Sequence, residues 1–116
     1  MKSARTMRVL LASALAGTAL MAVPAVHAVD AAAAEKLARQ EGCLRCHGID
    51  RAKDGPSYKE LAAKLKAKPD PEGRVIKHLS SGVKVKFEDG HEEDHKIPKT
   101  KDADQIKNLA QWILSQ

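Results

Sequence analysis

From residue 30 onward, apolar and polar positions recur with a helical period in four stretches, separated by Gly and Pro punctuation. Asp30 can cap a helix over 31–40, where the Ala31–Ala34 run and Leu37 favour helix and Gly42 supplies a stop. Pro56-Ser57 opens a second helix that carries Tyr58, Leu61, Ala62 and Leu65 at helical spacing and ends by Pro69-Asp70-Pro71. Asp70 before Pro71 is a cap and first-turn pair for a third helix, with Val75, Ile76 and Leu79 on one face and an end near Gly82. Ile106, Leu109, Ala110 and Ile113 form the apolar stripe of a last helix over 102–114, beside Trp112. Residues 83–100 break the pattern: Val83, Val85 and Phe87 alternate with Lys84 and Lys86, and Asp89-Gly90 marks a turn, which predicts a short hairpin. The fold class is therefore all-α, three to four helices with a hairpin-like loop before the last. No repeat, linker or second domain interrupts it.

The first 28 residues follow another logic. Lys2, Arg5 and Arg8 precede an apolar run from Val9 to Val23, which ends at Pro24 and Val26-His27-Ala28. That is the layout of a secretory signal cleaved after Ala28, with residues 29–116 as the mature domain and a bacterial periplasm as its destination. The run is shorter than the roughly 20 apolar residues that cross a bilayer, and no cysteine stands at the cleavage point to take a lipid. No stable membrane insertion is expected. Removal of residues 1–28 takes three of the 20 basic residues and none of the 15 acidic ones, so the net charge falls from +5 to +2. Such a balance gives no argument for nucleic-acid binding, and none is expected.

A domain of 88 residues with only Tyr58, Phe87 and Trp112 as aromatics is short of core material. A bound apolar group would supply the missing buried surface. Cys43-Leu44-Arg45-Cys46-His47 identifies it, because C-x-x-C-H is the attachment signature of a c-type haem: two thiols add to the vinyl groups, and the adjacent imidazole reaches the iron. A structural zinc site would need a second ligand pair. A thioredoxin-like dithiol would need a β-α-β setting that the helical pattern does not offer.

With Gly48-Ile49-Asp50 after the motif, Gly55-Pro56-Ser57-Tyr58-Lys59-Glu60 before the second helix, and Leu109 to Gln116 at the end, the chain resembles the class I cytochromes c, in particular their small bacterial monohaem branch. The resemblance covers most of the mature sequence. It implies helices wrapped around one covalent haem c, with the first and last crossing, and a Pro56 carbonyl that accepts a hydrogen bond from the proximal His47 and raises its basicity.

One departure matters. The family's usual distal ligand is a methionine before the last helix, whereas this chain has methionine only at 1, 7 and 21. His95, in Asp94-His95-Lys96-Ile97-Pro98, stands near the corresponding place and is the first candidate for the distal iron ligand. His91 is the runner-up, since a separation of four residues puts both on one face in helix or strand alike. Lys96 and Lys99 are weaker candidates, and His78 is read as a surface histidine of the third helix. His91-Glu92-Glu93-Asp94-His95 also fits the H-E-x-x-H zinc-protease pattern, but that chemistry needs a helix and a substrate cleft. The expected function is single-electron transfer between redox partner proteins, at low potential with two histidine ligands; Arg45, Arg51 and Lys53 are candidates to steer an acidic partner. The alternative is a haem protein whose sixth site is open or labile, binding small ligands or reacting with peroxide. Oligomeric state is not encoded in any of these features.

Overall fold

A computed structural model describes residues 21–22 and 28–116 of the chain. The expected signal segment lies outside the described residues, apart from Met21, Ala22 and Ala28. Helix α1 spans Ala31–Gln40, and the Asp30 carboxylate caps it by accepting from the Ala33 amide. Gly42, at φ +74°, turns the chain through the left-handed region into a single helical turn, α2, Cys43–Cys46. Helix α3, Tyr58–Lys66, starts from a capping box: Ser57 Oγ accepts from the Glu60 amide, and the Glu60 carboxylate accepts from the Ser57 amide and hydroxyl. Helix α4, Pro71–Ser81, is capped by Asp70 and has Pro71 in its first turn. Strands β1, Lys84–Lys86, and β2, Glu92–Asp94, pair antiparallel with Val85 opposite Glu93. Helix α5, Ala103–Leu114, closes the chain.

Helix α5 is the hub, packed on α1, α3 and α4. Leu109, Ala110, Trp112 and Ile113 are its buried face. Against it α1 presents Ala34 and Ala38, whose small side chains let the two helices approach closely. Asn108 ties the start of α1 to this face, since its Nδ2 donates to the Asp30 carbonyl at 2.9 Å and its Oδ1 accepts from the Asp30 amide at 2.8 Å. The Trp112 ring meets Tyr58 edge-on, with centroids 5.6 Å apart, and carries the packing into α3. Among the described residues no helix is long and apolar enough to cross a membrane. The four helices and the hairpin expected from the periodicity are all present; α2 is an additional short turn, built on the cysteine motif itself.

Candidate functional site

A cavity of about 410 Å³ opens between α2, α3, α4, the hairpin and the end of α5. Its walls are chiefly apolar, with Tyr58, Leu61 and Leu65 from α3, Val75 and Leu79 from α4, and Val85 and Phe87 from the hairpin. The scarce core residues are thus arranged around a space instead of filling one. Cys43 and Cys46 both line that space as free thiols. Burial pushes the Cys43 thiol above its ordinary range, and the Tyr58 hydroxyl partners it.

His47 follows α2 directly, in extended backbone conformation. Its Nδ1 lies 2.7 Å from the Pro56 carbonyl. A carbonyl only accepts, so Nδ1 carries the proton and Nε2 keeps its lone pair for a metal. The ring is held from two further sides: Tyr58 stacks on it at 5.4 Å, and Gly55 packs so tightly that an added Cβ would fall 2.9 Å from its Cε1.

Across the cavity stands His95, its ring centroid 6.1 Å from that of His47. A metal–imidazole bond of about 2.0 Å, plus about 1.1 Å from nitrogen to ring centre, puts two imidazoles on opposite sides of one metal about 6.2 Å apart. The observed spacing matches that requirement. His95 Nδ1 is buried without a hydrogen-bond partner. Burial, with nearby His78 and His47 adding to it, pushes the His95 pKa down and keeps a lone pair available at neutral pH.

The other candidates are sorted by position. His91 pairs with Asp89 and Glu93, stacks on Phe87 at 4.2 Å and does not line the cavity. Four residues of extended chain carry it about 13 Å from His95 along the hairpin. The segment between the two histidines is strand, not the helix that H-E-x-x-H chemistry needs. Lys96 lines the cavity, whereas Lys99 does not. Arg51 and Lys53 flank a separate hollow beside His47, and the Lys53 ammonium is tied to the Leu44 carbonyl at 2.7 Å.

His78 is exposed, as expected of a surface histidine, yet it also reaches the site. Its ring lines the cavity and meets that of His95 edge-on at 4.3 Å. The signal was present in the sequence: Val75, His78 and Leu79 recur at i, i+3 and i+4, so His78 borders the buried face that Val75 and Leu79 form on α4.

Residues 31–116 match the family model described as cytochrome c. The chain belongs to the cytochrome c family. Curated cytochromes c are similar over most of their length. Cytochrome c-551 of Pseudomonas aeruginosa is 32% identical over 85 residues, covering 71% of this chain and 75% of its own. Cytochrome c-552 of Hydrogenobacter thermophilus is 36% identical over 82 residues, covering 70% and 79%. Among solved structures, the class 1 cytochrome MtoD from Sideroxydans lithotrophicus ES-1 superposes with a TM-score of 0.71 at 53% identity, covering 76% of this chain and 97% of that one. As a small monohaem cytochrome c, the chain carries one covalent haem c with its iron and is an electron-transfer protein rather than an enzyme. The cavity fits that group: paired free thiols on one wall, an oriented imidazole beside them, and an imidazole with a buried, unpartnered nitrogen opposite.

Proposed function

We propose that this cytochrome c is a periplasmic carrier of single electrons at low potential, held in a six-coordinate state by His47 and His95. In this reading residues 1–28 are removed on export and residues 29–116 form the working domain. Cys43 and Cys46 make the two thioether bonds, His47 is the proximal ligand, and Pro56 orients it through the 2.7 Å contact between its carbonyl and Nδ1. When bound, the haem supplies a one-electron Fe(III)/Fe(II) couple.

The observation that carries the reading is the 6.1 Å separation of the His47 and His95 rings across an apolar cavity. Imidazole in place of a methionine thioether stabilises the ferric state and lowers the potential. Two nitrogen ligands leave no position for a substrate, so the protein's task is to keep the geometry the same in both oxidation states. Redox partner proteins meet the haem edge beside the attachment motif, where Arg45, Arg51 and Lys53 favour an acidic surface.

The test is spectroscopic. The ferric holoprotein should be low-spin with a bis-imidazole near-infrared signature, and the ferrous form should not bind carbon monoxide promptly at neutral pH. His95→Ala should alter the ligand field, and His91→Ala should leave it unchanged. Prompt stoichiometric carbon monoxide binding by the unmodified protein would instead establish an open sixth site and sink the six-coordinate geometry.

A further inference from the structure

We infer that His78 is a reserve axial ligand, so that the distal side of this cytochrome holds two imidazoles able to serve one iron. This rests on the reading of His47 and His95 as the resident pair. Three features of the fold support it. First, His78 and His95 line the same cavity with ring centroids 4.3 Å apart, a displacement within the reach of a histidine rotamer change of about 120° in χ1.

Second, the two side chains have different supports. His95 extends from the end of a two-stranded hairpin, where its amide bonds the Val83 carbonyl at 2.8 Å and no further strand among the described residues backs the sheet. A lone hairpin is a weak platform in water. His78 projects from α4, a three-turn helix anchored on α5 through buried Val75 and Leu79. The spare imidazole thus stands on the firmer element. If the hairpin lifts, His95 leaves and the adjacent ring takes the position.

Third, neither imidazole is engaged by a partner among the described residues: His95 Nδ1 is buried without a hydrogen bond. The rings meet edge to face without a hydrogen bond between them, so neither lone pair is committed to the other.

The experiment compares holoproteins carrying His95→Ala, His78→Ala and both, by electron paramagnetic resonance, near-infrared magnetic circular dichroism and carbon monoxide binding. With a reserve ligand, His95→Ala stays predominantly low-spin and bis-imidazole with shifted g-values, His78→Ala resembles the unmodified protein, and only the double variant turns high-spin and binds carbon monoxide promptly. Added imidazole should return the double variant to low spin, which shows that its pocket is intact. A His95→Ala protein as high-spin as the double variant, and likewise rescued by imidazole, overturns the inference while leaving His95 as the resident ligand. A different pattern, with His95→Ala unchanged and His78→Ala high-spin, overturns the resident-ligand reading itself and makes His78 the sole distal ligand.

Discussion

Gly55→Ala is the smallest substitution that should disturb the proximal side. Gly55 does not use a left-handed backbone, so alanine is compatible with its conformation and the effect is steric. The new Cβ would meet His47 Cε1 at 2.9 Å, Nδ1 at 3.1 Å and the Cys46 carbonyl at 3.3 Å. Gly55 cannot retreat, because its amide donates to that same Cys46 carbonyl at 2.8 Å and its own carbonyl accepts from Lys53 at 2.9 Å. The imidazole must move. Restoring ordinary contact takes about 0.5 Å, which stretches the 2.7 Å Nδ1 to Pro56 bond to near the roughly 3.2 Å limit of a useful hydrogen bond. Overpacking of this kind costs about 1–3 kcal/mol. For a domain of this size each kcal/mol corresponds to about 4–8 °C in Tm. A weaker bond to Pro56 makes the imidazole a poorer donor, so the ferric state loses stabilisation and the potential rises. Thermal unfolding and redox titration of the holoprotein measure both. Gly90→Ala is the control: Gly90 has φ +88° and nothing within 4 Å of an added Cβ, so its substitution should cost about 1 kcal/mol of backbone strain without moving the potential. If Gly55→Ala matched the unmodified protein in Tm and in potential, the clamped proximal histidine would be refuted.

Leu109→Ala removes the largest fully buried side chain among the described residues and should destabilise by about 2–5 kcal/mol in equilibrium denaturation, with the visible spectrum of the surviving folded fraction unchanged. Ala38→Leu should cost about 1–3 kcal/mol, because α1 is seated on α5 at a residue with 0% exposure; a neutral result would mean the two helices can separate freely. Hydrogen bonds from Ser57 hold the Glu60 carboxyl below its ordinary value of 4.5, so its contribution to stability is fully present above that pH and is lost as pH falls through the lower, folded-state value. The stability gap between the unmodified protein and Glu60→Gln should therefore shrink on acidification, and a gap that widened would contradict the capping box. Ser57→Ala should cost about 1 kcal/mol by urea titration.

Local signals sufficed for the elements. Asp30, Ser57, Asp70 and Asp102 each cap a helix with their own side chains, and the apolar spacing of α3, α4 and α5 marks the face each one buries. The attachment motif was legible for the same reason: Cys43, Cys46 and His47 are neighbours in sequence, so their chemistry survives without knowledge of the fold.

The distal side was not local. His91 and His95 have the same residue type, the same face and acidic neighbours, and only the register of the hairpin, with Val85 opposite Glu93, carries one to the cavity and leaves the other at the turn. His78 sits 17 residues away from His95, yet the fold brings the two rings within 4.3 Å. Sequence by itself determined which groups could reach an iron; tertiary structure decided which of them line the cavity, because that depends on distances between elements set by side-chain packing and strand pairing rather than by anything along the chain.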